Sequence, residues 1–219
     1  MSRYNTGMLD QFVIYSFDPS NEHCLIFIPG YTGGLSAPII EQLVTFYCKE
    51  REYDVLGLDL AYQQDTLELF PDSQKFLIDT VNAFAKQFTN KKIFIVAKSL
   101  GGSLALYNIE NLSITGLVVL GCSVVLGWPQ RVSLLSNNTP SIPDYKNEWK
   151  PILEQVSKPT RIITGDTDDL VDNAFLQEES TRNSNIHVEI LKGANHGLID
   201  TNTNRALTSE CVHEIDTLL

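Results

Sequence analysis

Residues 93–102 read IFIVAKSLGG. Five residues suited to a buried strand, 93–97, run straight into Lys98-Ser99-Leu100-Gly101-Gly102, and a helix-forming segment, 103–107, follows at once. A strand that turns abruptly into a helix with a serine at the corner has the outline of a nucleophile elbow. Such a turn holds the serine in a strained backbone conformation, lifts its hydroxyl above the sheet, and aims the next amide N–H at the same point. Strand and helix crowd together there, so the residues two before and two after the serine must be small. Ala97 and Gly101 are small. The competing reading is a plain strand–turn–helix with an inert serine, and the pentapeptide alone does not separate the two.

Outward from this stretch, short apolar runs alternate with amphipathic ones. Upstream, 12–17 alternates weakly as a strand, Asp18 to Asn21 makes a turn, and 24–28 is a short, fully apolar strand. The loop Pro29-Gly30-Tyr31-Thr32-Gly33-Gly34 follows. From Ser36 onward Ile39, Ile40, Leu43, Val44 and Tyr47 share one helical face. Another strand covers 53–58, and 59–70 is polar without a clear period. Pro71 and Asp72 open a long helix with Phe76, Leu77, Val81, Phe84, Ala85 and Phe88 on its buried side. Downstream, strands are expected at 117–120, 160–164 and 186–191, with helices at 172–182 and 204–219.

The segment 121–158 is the least regular, with Pro129, Pro140, Pro143, Pro151 and both tryptophans in it. It has room for one core helix and a minimal cap or pocket wall. Short apolar strands alternating with amphipathic helices predict a mostly parallel sheet covered on both faces, a three-layer αβα sandwich. With no repeat, low-complexity tract or linker, 1–219 reads as a single domain.

Composition bounds the function. The 219 residues suffice for one domain with a sizeable core, and 43% hydrophobic with 20% charged residues is globular. A net charge of −11, spread along the chain, argues against nucleic acid or an anionic membrane surface as partner. The N-terminal residues lack the basic and apolar regions of a signal peptide, and no apolar run approaches a membrane span. Cys24, Cys48, Cys122 and Cys211 are widely spaced and sit in apolar segments, without zinc or disulfide spacing. A cytoplasmic location with reduced core thiols is the expectation. The sequence specifies no oligomeric state.

In a parallel sheet, ligands bind beyond the carboxyl ends of the strands. Three loops fall there besides the elbow's own turn. The glycines of 29–34 let the backbone approach a ligand, so the Tyr31 N–H is a candidate second donor to an oxyanion. Gly165-Asp166-Thr167-Asp168-Asp169-Leu170-Val171-Asp172 offers four aspartates, any of which, just past a strand, can orient a histidine. It lacks the glycine and closing glutamate of an EF-hand loop. Gly193-Ala194-Asn195-His196-Gly197-Leu198 follows the last strand. Its histidine is the best placed of the four, since His187 lies inside a strand, His23 precedes one, and His213 lies in the closing helix.

Serine, acid and histidine, each at a strand end, follow the chain order of the α/β-hydrolases, which this sequence resembles over nearly its whole length. Ala97-Lys-Ser-Leu-Gly101 resembles the family's elbow, with the alanine variant that occurs among its lipases. Gly165-x-x-Asp168-x-x-Val171 resembles the acid loop and Gly193-x-x-His196 the histidine loop. Phe27-Ile-Pro-Gly-Tyr-Thr-Gly33 is similar to the oxyanion segment of small carboxylesterases and monoacylglycerol lipases, with proline in place of the usual histidine. The loop after Asp59 lacks the family's Gly-x-Gly.

The resemblance implies a serine esterase acting on short to medium acyl esters. Ser99 is the nucleophile, His196 the base, Asp168 the orienting acid, and the Tyr31 and Leu100 N–H groups the oxyanion hole. It implies a small-molecule acyl substrate in an open pocket walled by Tyr31, Trp128 and Leu198, with no metal or organic cofactor. Thioesters and lactones suit the same residues. A reading of a different class is a catalytically silent member that binds a ligand or protein partner, against which an intact Ser99, Asp168 and His196 speaks. For Lys98 two roles are open, electrostatic tuning of the site and, as the favoured one, a salt bridge to a neighbouring acid.

Overall fold

The computed structural model describes residues 6–31, 33–60, 71–122 and 145–219. Its framework is a seven-stranded sheet built from β1 (Val13–Ser16), β2 (His23–Ile28), β3 (Asp54–Gly57), β4 (Lys92–Lys98), β5 (Gly116–Leu120), β6 (Thr160–Gly165) and β7 (Ile186–Leu191), in spatial order β1-β3-β2-β4-β5-β6-β7. Every pairing is parallel except that of β1, which runs antiparallel to β3 at the edge. This is the α/β-hydrolase arrangement, a mostly parallel sheet with helices on both faces.

Alternation along the central strands feeds two separate cores. Leu25, Phe27, Phe94, Val96, Val118 and Leu120 point to one face, where α1 (Pro38–Glu50) and the C-terminal helix pack. Cys24, Ile26, Ile93, Ile95, Leu117 and Val119 point to the other. There α2 (Pro71–Gln87), α3 (Ser99–Tyr107) and α4 (Tyr145–Gln155) cover the sheet together with α5 (Asn173–Arg182). Strands buried on both sides have no polar face to show, which is why they read as continuous apolar runs.

The buried positions of α1 are Ile39, Ile40, Leu43, Val44 and Tyr47, the face read from the sequence. On α2, Leu77, Val81 and Phe84 are buried while Phe76 and Ala85 are half-buried. Ser73 and Thr80 are buried there as well, and Ser73 Oγ donates to Leu60 O at 3.1 Å. Within 121–158, the described part holds α4, whose Trp149 is fully buried.

The expected closing helix at 204–219 starts later than its pattern suggests. A two-stranded hairpin, β8 (Ile199–Asp200) with β9 (Arg205–Ala206), comes first, and α6 is Thr208–Asp216. The hairpin turn is fixed by Asp200 Oδ1, which accepts from the N–H groups of Asn202 and Thr203, and by Asn204 in a left-handed conformation (φ 53°). Asn tolerates that conformation and favours turns over helix starts.

Candidate active site

The neighbours β2 and β4 send their chains to opposite faces, β2 to α1 and β4 to α3. The crevice between their carboxyl ends is therefore the switch point of the sheet. Ser99 stands there as the first residue of α3, with φ 50°. A left-handed conformation at a non-glycine residue costs energy that the surrounding packing must hold. Here α3 is pressed onto the sheet: a Cβ on Gly102 would sit 2.5 Å from Val119 Cγ1 and 3.0 Å from Ala97 O. Gly102, three residues after the serine, thus has no room for a side chain, a constraint the sequence pattern did not single out.

His196 arrives from the loop after β7. Its Nε2 lies 2.8 Å from Ser99 Oγ and its Nδ1 2.8 Å from Asp168 Oδ2. A carboxylate only accepts, so a neutral His196 donates Nδ1–H to Asp168 and accepts the Ser99 hydroxyl at Nε2. Asp168 is nearly fully buried, and its second oxygen accepts from Leu170 N at 2.9 Å.

The other three aspartates of that loop have separate positions. Asp166 Oδ1 accepts from Gly193 N at 2.6 Å, and Asp172 caps α5 by accepting from Phe175 N at 2.9 Å. Asp169 is exposed. Spacing in the sequence distinguishes them only through the resemblance, whereas the packing gives Asp166, Asp168 and Asp172 different partners and leaves Asp169 exposed.

Two residues outside the sequence reading hold the acid and histidine loops together. Thr167 donates both its N–H (3.0 Å) and its Oγ1–H (2.7 Å) to Ala194 O. Asn195 Oδ1 accepts from Gly197 N and Ile199 N, folding the chain just after His196 into a tight turn. The loops touch so closely that a Cβ on Gly165 would stand 1.9 Å from Ala194 O. An Asn beside a His and a Thr between two aspartates are the only sequence signals, and both are common in ordinary turns.

The loop after β2 also reaches the serine, since a Cβ on Gly30 would lie 3.0 Å from Ser99 Cβ and 3.6 Å from its Oγ. Tyr31, the next residue, is half-buried against the core beneath α2 and α3. Leu100 is in the first turn of α3, where backbone N–H groups have no intrahelical acceptor and carry the positive end of the helix dipole.

Two expectations about the surroundings change. Leu198 does not wall an open pocket: it is fully buried among Leu191, Ala194 and Leu207, behind the histidine loop. Its left-handed backbone (φ 55°) and the bond from its N–H to Asn195 O turn the side chain inward. Lys98 has no carboxylate within ion-pair distance among the described residues; its Nζ is 3.5 Å from His196 O. Burial lowers the Lys98 pKa, and the Asp168 charge partly restores it. Trp128, and most of the loop after Asp59, lie outside the described residues.

Residues 21–217 match the Alpha/beta hydrolase domain, and the chain belongs to that family. The fold also resembles solved esterase structures. Against the lipase-esterase related protein from Clostridium acetobutylicum the TM-score is 0.70 at 13% identity, covering 95% of this chain and 98% of that one. Against Est1E from Butyrivibrio proteoclasticus it is 0.63 at 16% identity, with 94% and 93% covered. Against the Pyrococcus furiosus esterase Pf2001 it is 0.63 at 20% identity, with 92% and 84% covered. Est1E has also been solved with ferulic acid bound. No curated protein matches the chain in sequence. No helix among the described residues is long and apolar enough to cross a membrane.

Proposed function

We propose that the chain is a single-domain serine hydrolase that cleaves carboxylic esters of small acyl substrates. The observation that carries this reading is the unbroken chain of contacts from a strained Ser99 through His196 to a buried Asp168. An ordinary strand–turn–helix has no reason to hold its first helical residue at positive φ with a histidine nitrogen 2.8 Å from its hydroxyl.

Ser99 Oγ attacks the acyl carbon as His196 Nε2 takes its proton, and Asp168 stabilises the imidazolium that forms. The oxygen of the tetrahedral intermediate is held by the N–H groups of Leu100 and Tyr31, each worth roughly 2.7–4 kcal/mol. His196 then returns the proton to the leaving alcohol. Water, deprotonated by the same imidazole, releases the acid from Ser99 and restores the enzyme. No step requires a metal or organic cofactor.

The test is covalent. A fluorophosphonate probe should label the wild-type protein, and p-nitrophenyl acetate or butyrate should be hydrolysed. Ser99→Ala should abolish both while the far-UV spectrum and thermal midpoint stay unchanged. Labelling that persists in Ser99→Ala overturns the assignment.

A further inference from the structure

Lys98 is a half-buried cation placed directly before the candidate nucleophile. Continuing the alternation of β4, it falls on the same face as Phe94 and Val96, under the histidine loop, with Leu120 as its register partner on β5. Its Nζ sits 3.5 Å from the backbone oxygen of His196, and the Asp168 carboxylate is the charge that acts on it most. Among the described residues, the titratable groups around it are Asp168 from the loop after β6 and His196 from the loop after β7. Of the other acids nearby in sequence, Asp166 is turned to Gly193 N and Asp172 to Phe175 N.

An unneeded ammonium at this position is expensive. A desolvated lysine without a contacting carboxylate opposes folding, and Met or Gln would fill similar space without that cost. Charges held in such places cluster where chemistry uses them. What this one can do follows from its two neighbours. It pulls on the His196 carbonyl, fixing the backbone from which the imidazole hangs. Its positive charge also acts on the Asp168 carboxylate that bonds the imidazole.

We propose that Lys98 is a positioning residue for the hydrolase reaction, holding the His196 backbone through its ammonium so that Nε2 stays aligned with Ser99 Oγ. The inference rests on the hydrolase reading above. It makes activity depend on the charge of Lys98, and burial brings the loss of that charge below the ordinary lysine value of 10.5. Wild-type activity therefore falls on an alkaline limb that reports Lys98.

The rate of fluorophosphonate labelling, followed from neutral to alkaline pH, tests this without knowledge of the substrate. Lys98→Met should label roughly tenfold more slowly near neutral pH, the scale of losing one hydrogen bond from a charged group, and should show no alkaline limb. Lys98→Arg keeps the charge at every pH, so it should recover most of the neutral rate and also lack the limb. A Lys98→Met protein that labels at the wild-type rate overturns the proposal. So does an alkaline limb that persists unchanged in either variant. Should Lys98→Met fail to fold, the limb in Lys98→Arg decides alone. Failure of the underlying reading looks different: the wild-type protein itself then neither labels nor hydrolyses an ester.

Discussion

Strand β4 has a lysine at either end, the fully buried Lys91 just before it and the half-buried Lys98 as its last residue, and their surroundings are opposite. Lys91 precedes the strand at the amino end of the sheet. Its ammonium is 2.5 Å from Asp54 Oδ2 and donates to the carbonyls of Asp18 (3.0 Å) and Asn21 (2.9 Å). The pair is shut away from water, and Asp54 Oδ1 is satisfied in turn by Asp18 N–H and the Asn21 amide. That ammonium has two carbonyl acceptors and a carboxylate in ion-pair contact. Lys98, at the carboxyl end, has among the described residues one distant carbonyl, His196 O at 3.5 Å, and feels the charge of a carboxylate already bonded to a histidine. A buried charge that is fully satisfied fastens the chain, here the turn after β1 to the start of β4. One left partly unsatisfied holds a field in place, at a cost to stability.

The contrast breaks first at the carboxyl end. Asp168→Asn should lower kcat by about 10⁴, because the amide no longer selects the tautomer with its lone pair facing Ser99. Asparagine at 166, 169 or 172 should cost far less, since Asp166 and Asp172 accept backbone N–H bonds that an amide oxygen can also accept, and Asp169 is exposed. Steady-state turnover of p-nitrophenyl butyrate, variant by variant, checks this. A crippled Asp169→Asn beside a near-normal Asp168→Asn would move the acid by one residue. Thermal midpoints of all four should change little, which separates this end of the sheet from the other.

At the amino end the expectation reverses, with stability lost and chemistry kept. Asp54→Ala leaves the Lys91 ammonium buried and two donors unsatisfied, and should cost about 3–5 kcal/mol in urea unfolding. Removing both charges together, as Lys91→Met with Asp54→Leu, should cost markedly less, because no lone charge remains. In either case the folded protein should keep its kcat. A double variant as unstable as Asp54→Ala would mean that the turn needs the hydrogen bonds more than it needs charge balance.

That division also marks what the sequence could tell. Elements whose identity rests on local pattern were legible: the buried face of α1 and the span of β7. The grouping of Ser99, Asp168 and His196 within hydrogen-bond distance was foreseeable as well, because each residue type is chemically marked and each loop follows an apolar strand. Contacts made by residues distant in sequence were not legible. The inward turn of Leu198, the clamp of Thr167 on Ala194, and the crowding at Gly102 exist only once loops from β4, β5, β6 and β7 meet. The β8–β9 hairpin was hidden because its turn residues fall inside an apolar spacing that also suits a helix. Lys91 and Lys98 illustrate the limit well: both are lysines at the border of one strand, and nothing in the local sequence distinguishes the paired from the unpaired.

A smaller effect sharpens that difference. Lys98→Met removes a cation that the folded state desolvates, so the protein should become more stable at neutral pH even as it loses activity. A gain on the order of 1 kcal/mol, read as a rise of roughly 2–4 °C in thermal midpoint, is the scale for exchanging such a charge for a well-packed apolar chain. Its pH dependence fixes the cause. Because the folded-state pKa of Lys98 lies below 10.5, the unfolded chain binds more protons between those two values. Wild-type stability then rises with pH across that window, relative to Lys98→Met. The advantage of the variant is therefore constant near neutrality, shrinks as pH climbs through the folded-state pKa, and levels off above 10.5, where lysine is neutral in both states. Packing differences alone would give an offset independent of pH. Paired thermal unfolding of the two proteins from pH 7 to pH 11 distinguishes the outcomes, and parallel curves across that range would show that the Lys98 charge carries no folding penalty.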